Sequence, residues 1–201
     1  MVLALAFALA LQADPIVGRA SVIDGDTLEI RGQRIRLWGI DAPERGQTCE
    51  RGGETYRCGT EAARLLDQAL ADRTVTCTPR GRPDRYGLMV AGCTYQTTPE
   101  GGVIVGIQDV GGYMITMGYA VDYPRYSDGF YGPSQRSSQR RRVGLWAGEF
   151  QMPWEWRRER GVSPSRSWGR SCHLNSRWAA RSLRYESTWF ASLAPSLPCF
   201  T

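Results

Sequence analysis

A chain of 201 residues, 42% of them hydrophobic, has the apolar content for one globular domain with appendages and needs no metal to build its core. Its net charge of +5 rests on arginine alone, with no lysine, which suits a polyanionic partner through counterion release and bidentate phosphate contacts; genome base composition is the alternative source of an all-arginine habit. The one histidine, His173, lies far from the acid-rich segments, so the chain argues against chemistry built on a histidine base or nucleophile and points to carboxylates, a metal and arginine.

Residues 1–13, MVLALAFALALQA, are apolar and uncharged but too short to span a bilayer. They read as the hydrophobic region of a secretory signal peptide, with cleavage near Ala8-Leu9-Ala10 or Ala13. The absent basic n-region leaves an uncleaved anchor or a misassigned start as alternatives. Export predicts a secreted or periplasmic chain with no stable membrane insertion after processing.

Past the signal, residues 16–24 read as a strand and Asp24-Gly25-Asp26 as a turn. Thr27 to Ile30 is a second strand. Residues 34–40 form a third, with Ile35 and Leu37 on one face and Arg34, Arg36 and Trp38 on the other. Ala42-Pro43 ends it. Residues 45–58 are a Gly-rich loop bracketed by Cys49 and Cys58. Gly59 to Leu70 is a helix whose stripe is Ala62, Leu65, Leu66, Ala69 and Leu70. Thr74 to Thr78 and Leu88 to Tyr95 are strands joined by a polar connection, 79–87, and residues 96–108 are an irregular excursion. Helices follow at 109–119 and about 132–142, the second with a basic face of Arg136 and Arg140 to Arg142 that reads as a solvated surface before a DNA groove. Val143 to Trp146 returns to the core.

This is an α+β, mainly β pattern. A five-stranded antiparallel OB-type barrel capped by about three helices is the economical solution, because closure removes exposed edges. We assign 14–160 to that domain. From about Ser163 the composition turns to Ser, Arg and Trp with Glu186 as the one acid, so 161–201 reads as a poorly ordered tail, with a basic nucleic-acid-binding tail as the alternative.

None of the six cysteines has the C-x-x-C spacing of a zinc site. In an exported chain the spacings suggest Cys49–Cys58 and Cys77–Cys93 disulfides, the second across a strand pair. Buried reduced thiols are the alternative, Cys172 and Cys199 remain to pair with each other, and spacing alone fixes no connectivity.

The chemistry concentrates in Ile23-Asp24-Gly25-Asp26-Thr27 and Arg34 through Glu44, where four acids and two arginines fall within about two strand lengths. Clustered carboxylates suit a hard cation and arginine forks suit phosphate. Together with Asp84-Arg85-Tyr86-Gly87, these motifs resemble the thermonuclease (staphylococcal-nuclease-like) family in one colinear order over roughly 18–150. The resemblance implies a five-stranded OB-type barrel with three helices and calcium-dependent hydrolysis of DNA or RNA, here by a monomer. It implies Asp26 and Asp41 as direct calcium ligands, the Ala42 carbonyl as a third oxygen and Asp24 in the outer shell. Glu44 corresponds to the general base and Arg36 to one of two catalytic arginines. Arg85 and Tyr86 correspond to positions that contact a terminal phosphate, and Tyr113 to the base-binding side. The second catalytic arginine of the family would follow Tyr86-Gly87 directly, where this chain has Leu88. The resemblance therefore predicts an exported calcium-dependent nuclease weakened at that position, or alternatively an OB-type nucleic-acid-binding module without turnover.

Overall fold

The computed structural model describes residues 13–97 and 106–161. The expected signal peptide, up to residue 12, and the tail from 162 onward lie outside them, as do Cys172, His173 and Cys199. In chain order the first strands are β1 (Ile16–Gly18), β2 (Ser21–Asp24), β3 (Thr27–Ile30), β4 (Gln33–Leu37), β5 (Ile40–Asp41), β6 (Cys49–Arg51) and β7 (Glu54–Tyr56). Helix α1 (Cys58–Leu70) follows, then β8 (Val75–Pro79), β9 (Met89–Thr97) and β10 (Gly106–Asp109). The remainder is α2 (Val110–Thr116), β11 (Val121–Asp122), α3 (Pro124–Ser127), α4 (Gly132–Arg141), a 3-10 turn at Gly144–Ala147 and α5 (Pro153–Glu159).

Seven strands form the main sheet in the order β1-β8-β9-β4-β3-β2, with β10 added on β9. Period-two alternation drives Leu28, Ile30, Ile35 and Leu37 to one face, each 2% exposed or less. The sheet curls, so that a Cβ on Gly18 of β1 would lie 2.8 Å from Ile30 of β3. On α1, Ala62, Leu66 and Leu70 recur every four residues and are buried together against the sheet. The class is α+β and mainly β, as the pattern predicts.

Several details differ from the sequence reading. The pairing is not wholly antiparallel: β4 runs parallel to β9, because α1 and β8 intervene and return the chain in the same sense. The strand expected at 34–40 breaks after Leu37, and Ile40–Asp41 pairs with β11 instead. The excursion after residue 96 holds a strand, β10, paired on β9. The Cys-bracketed loop contains the β6–β7 hairpin. Helices α3 and α5 carry no strong period in the sequence, being four and seven residues long. None of the helices among the described residues is long and apolar enough to cross a membrane.

The structure pairs Cys49 with Cys58 and Cys77 with Cys93. Cys77 and Cys93 stand directly opposite each other across β8 and β9, both almost fully buried. Replacing both by alanine is expected to lower stability by roughly 3 kcal/mol, the loop-closure value for a ring of this size. Urea unfolding of the oxidised protein beside the double variant checks it; equal midpoints would show that the bridge adds nothing.

Candidate active site

Two turns bring the acids together. Gly25 sits where a Cβ would come 2.8 Å from the Cβ atoms of both Ala42 and Ala62. Only glycine lets the Asp24–Asp26 turn press against the Asp41-Ala42 segment and α1. Asp26 and Asp41 are 4% and 0% exposed. The Ala42 N–H donates to Asp26 Oδ2 at 3.3 Å, and the Thr27 hydroxyl donates to Asp26 Oδ1 at 2.8 Å.

Arg36 reaches both carboxylates from the outer face of β4. Its Nη2 lies 2.8 Å from Asp26 Oδ2 and 2.6 Å from Asp41 Oδ1. A second guanidinium arrives from α5. Arg157 Nη1 donates to Asp41 Oδ1 at 3.0 Å and to Glu44 Oε1 at 2.6 Å, and its Nη2 donates to Asp41 Oδ2 at 2.7 Å. Arg157 is 4% exposed, whereas the Glu44 side chain is 27% exposed. Asp26, Asp41, Glu44 and Arg36 thus form one cluster, with Glu44 joined to it through Arg157. Asp24 flanks the cluster and pairs with Arg45, which also donates to the Ile23 carbonyl.

The electrostatics follow from burial. Burial first, then the charge of Asp26, pushes the Asp41 carboxyl up to about 6, against the pull of Arg157 and Arg36. Burial and the charges of Asp26 and Glu44 raise Asp24 in the same way, with Arg45 opposing. Burial acts to lower the two arginines, but Asp26 and Asp41 around Arg36, and Asp41 and Glu44 around Arg157, hold both above the ordinary arginine value.

The other expected positions, Arg85, Tyr86 and Tyr113, take no part in these ion pairs. Arg85 and Tyr86 occupy the turn before Leu88, shaped by Asp84 Oδ1, which accepts from the Tyr86 and Leu88 N–H groups at 2.8 Å each. Tyr86 is 62% exposed, with the Arg85 guanidinium 5.0 Å from its ring centre. Tyr113, on α2, packs half-buried against the main core beside Tyr95. Leu88 lines a cleft of about 370 Å³ with Trp38, Arg80, Arg82 and Tyr126, and the Arg80 guanidinium lies 3.9 Å from a Trp38 ring centre. Val90, which also lines this cleft, is the register partner of Arg36, so the cleft adjoins the strand that carries Arg36.

Arg157 is the site residue that sequence reasoning misses. It stands 116 residues from Asp41, in a Trp-Glu-Trp-Arg-Arg-Glu-Arg run that reads as generic surface helix. The available signal was the i, i+3 pairing of Trp154 with Arg157 behind Pro153. Trp154 stacks on Tyr123 at 5.2 Å with the rings 7° from parallel, and Gln47 Nε2 holds the Gln151 carbonyl at 2.7 Å. These contacts fix the helix that aims Arg157 inward.

The residues suit a hard cation in kind. Among the described residues, no three His, Cys, Asp or Glu side chains form a metal-binding group. A site here would rest on two carboxylates and a backbone carbonyl, an all-oxygen set of the sort calcium accepts with water completing the shell. A carboxylate has about four lone-pair sites. Asp41 Oδ2 and Asp26 Oδ1 each accept one hydrogen bond and so keep capacity for another partner. Three carboxylates face two guanidiniums in the cluster, leaving one net negative charge to attract a cation.

Comparison with known proteins agrees with this architecture. The staphylococcal nuclease homologue family matches residues 34–148, more than half of the chain. The chain belongs to that family. It is 43% identical over 137 residues to the succinoglycan biosynthesis protein ExoI of Rhizobium meliloti (strain 1021), covering 67% of this chain and 66% of that protein, just under two thirds of its length. It is 34% identical over 142 residues to an uncharacterized endonuclease of Escherichia coli O157:H7, covering 68% and 80% of the two chains. A micrococcal nuclease of Shigella flexneri is 30% identical over 145 residues, covering 68% and 77%.

Proposed function

We propose that the chain is an exported calcium-dependent nuclease that hydrolyses phosphodiester bonds of DNA or RNA. The observation that carries this reading is the convergence of Asp26, Asp41, Glu44 and Arg36 beside the β2–β3 turn in a member of this family. Asp26, Asp41 and the Ala42 carbonyl would hold the calcium, with Asp24 outside them. When bound, the cation draws charge from a phosphate oxygen and eases deprotonation of a water. Glu44, the least buried acid in direct contact with the paired guanidiniums, is the base that orients and deprotonates the attacking water. Arg36 donates to the phosphate and stabilises the charge gathering on its oxygens as water attacks in line. Arg85 and Tyr86, on their exposed turn, are the proposed contacts to a terminal phosphate. Tyr113 on α2 is the proposed residue on the base-binding side, and Tyr126 in the Leu88 cleft is a second tyrosine placed to meet the substrate. The two disulfides support an oxidising compartment.

The test is purified, oxidised protein on single-stranded DNA with calcium and then with chelator. Cleavage that requires calcium is the expected result. Equal degradation under both conditions, or none under either, overturns the reading. Salt-dependent binding without cleavage would instead identify a nucleic-acid-binding module.

A further inference from the structure

We infer that Arg157 supplies the phosphate-binding guanidinium that the Leu88 position lacks, delivered from α5 rather than from the β9 strand. The inference rests on the nuclease reading of this site.

The argument comes from counting hydrogens. A guanidinium has five N–H donors in one plane. The Nη1/Nη2 edge of Arg157 holds Asp41 in a two-point contact, and the second Nη1 hydrogen goes to Glu44. What remains is one hydrogen on Nη2 and one on Nε, and these lie side by side on the opposite edge. Nε is buried and has no acceptor among the described residues. A buried donor without an acceptor is costly, and protein structures rarely leave one. The open edge has the spacing of two phosphate oxygens, the geometry that makes arginine the residue of choice for phosphate.

The surroundings fix that edge in place. Asp41 and Glu44 grip the other side of the guanidinium, and Trp154 stacked on Tyr123 anchors the helix three residues earlier. Tyr123 in turn meets Tyr126 edge-on at 4.8 Å, and Tyr126 lines the cleft that Leu88 occupies. Arg157 is thereby tied, through Trp154, Tyr123 and Tyr126, to the residues that line that cleft. The ligand is a phosphodiester of a bound single strand. With a divalent cation on the carboxylates, the net charge of the cluster becomes positive by one unit, and one phosphodiester neutralises it.

The experiment uses Arg157→Lys, which keeps a positive charge but removes the two-donor edge. Cleavage of single-stranded DNA in calcium should fall about 10²-fold. Adding Leu88→Arg to Arg157→Lys should recover at least tenfold, while Leu88→Arg alone should gain less than twofold. In calcium, on a Glu44→Gln background that slows turnover, binding of fluorescein-labelled oligothymidine, read by anisotropy, should weaken at least fivefold on Arg157→Lys. Should the variant fail to fold, the wild-type protein still decides the matter: titration with dimethyl phosphate, a phosphodiester, in calcium should move the Arg157 Nε–H resonance. Unchanged or faster cleavage with unchanged anisotropy, or an Nε–H resonance that ignores phosphate, overturns the assignment. Wild-type protein that binds through Arg157 yet never cleaves would remove the nuclease reading and leave the phosphate contact standing.

Discussion

Replacing Asp41 with alanine is expected to destabilise the fold by about 3–5 kcal/mol. Asp41 is fully buried and is the common partner of Arg36 and Arg157, which are themselves largely buried. Its removal leaves two guanidiniums facing each other across the space the carboxylate occupied. The loss exceeds that of an ordinary salt bridge, since exposed pairs contribute about 0–1 kcal/mol. Urea unfolding is the measurement, and a change below about 1 kcal/mol would show that the guanidiniums find other partners or swing out to water. The pair Arg19–Asp72 is the internal control: both side chains are highly exposed, and Arg19→Ala should leave the unfolding midpoint almost unmoved.

Glu44→Gln should do the opposite, leaving the fold nearly intact while lowering the cleavage rate by about 10²–10⁴. Glutamine keeps an oxygen for Arg157 Nη1 to hold, at an edge that is already partly solvated. It loses the lone-pair basicity that removes a proton from water. Single-turnover cleavage in saturating calcium, beside a thermal melt of the same sample, separates the two effects. Comparable cleavage by Glu44→Gln would place the base elsewhere. Asp41 and Glu44 are held by the same arginine yet are expected to fail in different ways, one by loss of structure and one by loss of chemistry.

The parts legible in the sequence are those set by short-range pattern. Asp24-Gly25-Asp26-Thr27 and Asp41 through Glu44 each place their acids on one turn, and the alternation in β4 puts Arg36 on the face opposite Ile35 and Leu37. The α1 stripe is visible for the same reason. Cys77 and Cys93 face each other because their strands are joined by one polar connection that sets the register. What was not legible depends on distant partners. The parallel alignment of β4 with β9 is a property of the path through α1 and β8, not of either strand. β10 begins at a glycine and gains its strand character from β9 beside it. Arg157 shows the limit most clearly. It follows Trp156 in a short helix with no apolar period to place it, and its burial is justified only by carboxylates more than a hundred residues earlier in the chain.

That separation orders events during synthesis. The curled sheet and its acids all emerge from the ribosome before α5 does, and until residue 157 arrives Asp41 has Arg36 alone to offset its charge. A nascent chain halted after the 3-10 turn would carry a recognisable core with an incomplete pocket. Among the described residues, the last helix to be translated thus finishes the site, and the acids meet their second guanidinium only after the sheet that carries them is complete.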